Sequence, residues 1–131
     1  MACWLLKSEP EKYGWADLVR DGGTEWDGVR NHAAAGHLRA MREGDLALIY
    51  HSMFDKAGVG VARITRTARP DGEEGWVSVA VEPVKPLSRP VTLAAMKADA
   101  RLAGMAMIRQ SRLSVSPVTD AEWTALMDLA G

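Results

Sequence analysis

The sequence predicts an α+β fold: a small mixed or antiparallel β-barrel, closed or half-closed, of five or so short strands with helices around them. Three observations lead there. The runs 46–50, 59–67 and 76–86 are apolar or alternating and follow one another across short links, which predicts an antiparallel meander. Apolar residues recur at helical spacing over 14–20, 32–42 and the final dozen residues. The chain has 131 residues, enough for one domain over 1–131 with a core of its own.

The elements follow in order. Residues 2–7 (Ala-Cys-Trp-Leu-Leu-Lys) read as a buried first strand. Ser8-Glu9-Pro10 ends it, because Pro10 lacks an N–H donor and holds Glu9 extended. Trp15, Leu18 and Val19 share a helical face, and Asp21-Gly22-Gly23 stops that helix. Trp26-Asp27-Gly28-Val29 is an aromatic followed by a turn. Asn31 is placed to cap a helix over 32–42, with Leu38 and Met41 facing inward. Leu46 to Tyr50 is almost wholly apolar and predicts a central strand. Val61, Ile64 and Thr65 mark the next strand, and Pro70-Asp71-Gly72 a turn. In 76–86, Val77, Val79 and Val81 alternate with Ser78 and Glu82. Thr92 caps a helix near 93–99, the stretch 100–111 is irregular or weakly helical, and 113–118 is a last strand. Thr119 or Asp120 caps a final helix whose apolar face carries Trp123, Leu126, Met127 and Ala130. Trp4, Trp15, Trp76 and Trp123 lie on apolar faces and are expected in the core.

Composition narrows the function. The single cysteine, Cys3, allows no internal disulfide, fits a reducing cytoplasmic setting and reads as apolar filler. No apolar run reaches the ~20 residues of a membrane span, and the N-terminus does not read as a signal peptide. Three histidines without a ligand motif imply no metal, and no cofactor loop is present. A net charge of −1 argues against coating nucleic acid by charge alone. Two stretches are locally basic all the same: 30–42, with Arg30, Arg39 and Arg42, and 97–112, with Lys97, Arg101, Arg109 and Arg112.

Four polar segments fall at the ends of expected strands: Lys7-Ser8-Glu9-Pro10, Trp26-Asp27-Gly28-Val29-Arg30-Asn31, Tyr50-His51-Ser52 and Arg109-Gln110-Ser111-Arg112-Leu113-Ser114. Loops gathered at one end of a barrel form binding sites. Together these supply what a planar polar ring requires. Trp26 or Tyr50 can stack; Ser8, Asn31, Ser52 and Gln110 can donate and accept in the ring plane; Glu9 can accept from an amino group. Lys7, Arg30, Arg109 and Arg112 can contact phosphate.

The same four blocks, in this order and spacing, resemble the signature blocks of the EVE domain family over nearly the whole chain, from Cys3 to about Met127. The resemblance implies a PUA-like barrel related to YTH and ASCH domains. It implies a non-enzymatic pocket for a base flipped out of a nucleic acid, with modified cytosine in DNA the favoured ligand and DNA favoured over RNA. It places Ser8, Glu9, Trp26, Val29, Arg30, Asn31, Tyr50, His51, Ser52, Gln110, Ser111, Arg112 and Ser114 at that pocket. Three positions depart from the usual pattern. His32 stands where many members carry an aromatic residue, Ala35-Gly36-His37 precedes Leu-Arg-Ala-Met in place of an Arg-Asn pair, and Gly14 replaces a serine.

Several residues admit plainer readings. Trp26 could pack at a rim instead of stacking. His51 could be a general base, or a hydrogen-bonding residue without a catalytic part. Glu9 could be a catalytic carboxylate, a helix cap or an arginine partner. Arg109 and Arg112 could pair with the acids at 9, 17 or 27. The competing functions are an RNA-binding module, a small hydrolase using His51, and a protein-interaction module. A monomer is favoured.

Overall fold

The computed structural model describes residues 2–131. Strand β1 (Cys3–Ser8) is followed by helices α1 (Pro10–Tyr13) and α2 (Trp15–Asp21), strand β2 (Thr24–Trp26) and helix α3 (His32–Ala40). Strands β3 (Leu46–His51), β4 (Ala57–Pro70) and β5 (Val77–Thr92) come next, then α4 (Leu93–Ala98), α5 (Ala106–Arg109), β6 (Val115–Val118) and α6 (Asp120–Ala130). Among the described residues no helix is long and apolar enough to cross a membrane.

All six strands form one mixed sheet in the order β2-β5-β4-β3-β1-β6. The β3–β4–β5 meander is antiparallel, as the sequence predicts, and β1 joins β3 in parallel, Cys3 opposite Leu46 and Ser8 opposite His51. Register shifts in β4 and β5 curl the sheet. The hydrogen-bonded ladder stays open, with β2 and β6 at its two ends. Helix α3 packs on β6 and also on β4 and β5, so a helix and not another ladder closes the roll. Of the two barrels the sequence left open, this is the half-closed one.

Strand β1 explains its own composition. Trp4 and Leu6 enter one core, with Leu18, Ala34 and Leu38 from α2 and α3. Cys3 and Leu5 enter the other, with Met96, Met107 and Leu126 from the later helices. β3 divides likewise, Ala47 and Ile49 to one side and Leu48 and Tyr50 to the other. A strand buried on both faces reads as an unbroken apolar run. Cys3 is free and buried, and burial pushes its thiol above the ordinary value.

Asp45 fixes the start of the sheet. It is buried and accepts from the Trp4 indole N–H at 3.0 Å, Arg42 N–H at 2.9 Å and Ala2 N–H at 3.2 Å. Burial alone would raise its pKa, but these donors hold it below the ordinary carboxylate value. Trp4 is thus core, as expected; Trp76 is not. It lies half-buried on the surface, stacked on His32 at 4.8 Å with Arg30 5.7 Å from its ring centroid.

Candidate nucleic-acid site

Because β1 and β3 run parallel, their C-terminal ends emerge side by side, Lys7 opposite Tyr50. Two adjoining cavities open there, of about 460 and 440 Å³. Lys7, Ser8, Glu9 and Ser114 line both and form the wall between them. The Ser8 hydroxyl is buried in that wall with no hydrogen-bond partner among the described residues. Buried polar atoms are rarely left so.

The two cavities differ in chemistry. The first is bounded by Trp26, Val29 and Tyr13, with the carboxylates of Glu9, Glu25 and Asp27 against Lys7, Lys12 and Arg30. Trp26 is 9 % exposed and belongs to the core while bordering the cavity. The second cavity is bounded by Tyr50, Ser52, Met107, Ile108 and Ser111, with Lys7, Lys56, Lys97 and Arg112 against Glu9 alone. Burial pushes the Tyr50 hydroxyl above its ordinary value and the Lys7 ammonium below its own. Lys7 also donates to the Ser111 carbonyl at 2.6 Å, tying β1 to the segment before β6.

The remaining expected residues are placed differently. Asn31 and Gln110 border a third hollow with Arg109, Ser111 and Arg112. The Asn31 side chain caps α3, accepting from Ala34 N–H at 2.9 Å. His51 is buried, 8 % exposed, and lines none of these three hollows. Its Nε2 accepts from Trp15 N–H at 3.1 Å, which leaves the neutral ring's proton on Nδ1, 3.5 Å from Asp55. His51 therefore stands outside the expected pocket: at the end of β3 its ring meets the first residue of α2 and borders none of the hollows. Glu9 is the N-cap residue of α1, its carbonyl accepting from Lys12 and Tyr13 N–H and its carboxylate 3.3 Å from Lys12. Arg109 donates to the Gly104 carbonyl at 2.8 Å. Among the described residues neither Arg109 nor Arg112 forms an ion pair, so the pairing with acids at 9, 17 or 27 does not occur.

The loop from Asp27 to Asn31, one wall of the first cavity, is held from outside. Asp71, at the β4–β5 connection, accepts from Gly28 N–H and from Arg30 Nη1, both at 2.9 Å. The Gly28 amide first and the Arg30 guanidinium second keep the Asp71 carboxyl below its ordinary value. At the other edge Glu25 accepts from Arg66 Nη1 at 2.8 Å and from Ser78 Oγ. The Arg66 guanidinium is the main reason its carboxyl falls to about 2.

Sequence reasoning missed Tyr13 and Glu25 in the first cavity and Lys56 in the second. Lys97 was flagged only as part of a basic stretch. Arg101 of that stretch is spent on Asp99 and Asp128, both at 2.8 Å. Among the described residues no group of three His, Cys, Asp or Glu side chains is set to hold a metal.

The rolled sheet closed by α3 is a PUA-like fold. The chain belongs to the EVE domain family, whose model matches residues 2–129. It is 31 % identical to human thymocyte nuclear protein 1 over 96 % of this chain and 72 % of that one. A Rhodopseudomonas palustris protein solved by NMR has TM-score 0.94 at 49 % identity, covering all of this chain and 94 % of that one. A crystal structure of human thymocyte nuclear protein 1 (THYN1) in complex with 5-methylcytosine-containing DNA has TM-score 0.93 at 30 % identity, covering 99 % and 98 %. The YTH domain of Zygosaccharomyces rouxii MRB1, solved with N6-methyladenosine RNA, shares the fold alone, with TM-score 0.60 at 12 % identity over 98 % of this chain and 83 % of that one.

Proposed function

We propose that this protein is a reader of modified cytosine in DNA: the base is extruded from the duplex into the first cavity and its flanking backbone lies over the second. The observation that carries this is the pair of cavities of unlike chemistry sharing one wall at the end of β1. An aromatic cavity whose carboxylates and cations balance suits cytosine, whose N4 amino group donates to carboxylates such as Glu9. Its carboxylates offset its cations, so it offers phosphate no excess of positive charge. The neighbouring lysines and Arg112 favour phosphate, so the site separates base from backbone by charge. The Ser8 hydroxyl is left for the base edge or the adjacent sugar. The likeness to a human protein solved with 5-methylcytosine-containing DNA supports this ligand over RNA.

The role is binding without turnover. His51 has one ring nitrogen committed to a backbone N–H and the other facing Asp55, which supports a structural part for it over a general base. Extrusion costs a few kcal/mol, and stacking returns ~1–3 kcal/mol with a similar amount per good edge contact, so affinity rests on the pocket.

The test is a tryptophan-fluorescence titration with matched oligonucleotides carrying cytosine or 5-methylcytosine. The parent protein is expected to prefer the modified base by tenfold or more, about 1.4 kcal/mol. Ser8→Ala and Glu9→Gln, both in the wall the two cavities share, should reduce that preference while thermal unfolding stays near the parent's. Equal and steeply salt-dependent binding of both oligonucleotides would overturn the reading.

A further inference from the structure

The chain holds one phenylalanine, and it is not in the core. Phe54 is 72 % exposed at the tip of the β3–β4 loop, beside Met53 at 49 %. Single exposed apolar residues are common on protein surfaces; this pair is built differently. Phe54 has φ 61° and Lys56 φ 44°, the left-handed region that bulky side chains rarely adopt and that persists only where the surroundings impose it. The surroundings do so at both stems. Ser52 donates its N–H at 2.9 Å and its hydroxyl at 3.3 Å to the Ser8 carbonyl, the strand end that forms the shared wall. Leu93 N–H donates to the Lys56 carbonyl at 2.8 Å, fixing the far stem to α4. The result is a loop tied at both stems with an apolar tip held in solvent.

Its location supplies the occupant. A hollow of about 350 Å³ beside Phe54 shares Lys56, Leu93 and Lys97 with the basic cavity, which in turn shares its wall with the aromatic cavity. The order along the surface is therefore base cavity, basic cavity, apolar tip. Extruding a base leaves two unstacked faces in the duplex, and apolar side chains flanked by cations are what fills such a gap. Lys56 and Lys97 border the hollow beside the tip, against Asp55 alone, and match the phosphates next to such a gap.

We propose that the Met53–Phe54 tip is a wedge that enters the DNA duplex beside the extruded nucleotide, with Lys56 and Lys97 on the adjacent phosphates. This rests on the base-reading proposal above, and the experiment separates the two. The probes are a duplex with one paired 5-methylcytosine and the same strand alone, each with 2-aminopurine next to the modified base to report unstacking. The parent protein should bind both and brighten 2-aminopurine in the duplex. Phe54→Ala should weaken duplex binding tenfold or more and abolish the brightening, while single-strand binding stays within twofold; Phe54→Trp should restore both. Equal effects on duplex and single strand, or none on either, would overturn the wedge and leave the pocket reading intact. A change in sedimentation behaviour as the only effect of Phe54→Ala would overturn it in favour of contact with a second copy or another protein. A parent that shows no preference for 5-methylcytosine in either probe would defeat both proposals together.

Discussion

Gly60 is a glycine because Trp15 lies against it. A Cβ built there would stand 2.5 Å from the indole ring. Nothing local in β4 asks for glycine, and the sequence offers no sign of the constraint, since Trp15 is 45 positions earlier and on a different element. Gly60→Ala should force the ring aside and lower stability by about 1–3 kcal/mol, read from urea unfolding. The displaced indole should also disturb Trp15 N–H, the donor to His51. Residue types alone told part of this story. Trp4, Leu6, Leu38 and Leu126 fall in the core as their periodicity implies. Trp76 does not, because its neighbours across space are Arg30 and His32, which no window of local sequence contains. His51 turned inward for the same kind of reason: its partner is a backbone amide on α2.

At the scale of elements, the helices were legible to within a residue or two wherever a cap was present. Asn31, Thr92 and Thr119 each accept from the N–H three residues on, as N-caps do. The omissions were short pieces. β2 is three residues long and preceded by two glycines, and α1 is a single turn that opens on Pro10. β5 runs on to Thr92 through Pro86 and Pro90, beyond the expected end at 86, because shifts in its register with β4 accommodate residues that lack an N–H. The four polar segments do converge, yet their division among separate hollows depends on which way each strand end points. The β4–β5 connection shows why such a division matters, for Asp71 reaches across to the loop that walls the first cavity. Asp71→Ala should free Gly28 and Arg30, weaken binding of the 5-methylcytosine oligonucleotide several-fold and leave the thermal midpoint near the parent's. Titration and melting of the same sample would measure both; an unchanged affinity would show that the loop holds its shape without the latch.

For the molecule as a whole, stability in acid should track Glu25. Its folded carboxyl sits at about 2 against an ordinary value of 4.5, so its contribution is fully present above pH 4.5 and is lost as pH falls through 2. Bonded to Arg66 and Ser78, it should account for about 1–3 kcal/mol. Glu25→Gln should lower stability at neutral pH by that order and flatten the loss between pH 4.5 and 2, measured by denaturant unfolding across the range. The net charge of −1 gives no hint of the basic cavity, because its cations are gathered in one place and offset elsewhere. The position of β1 has a consequence of another kind. Cys3 is paired on one side with Leu46 and on the other with Val118. Within this domain β1 therefore waits for β6 to complete its pairing, and the wall that Ser8 and Ser114 share cannot form until both have been made. A chain that stops short of β6 lacks that wall from the outset, and the unpaired apolar edge of β1 is what a chaperone or a protease would meet.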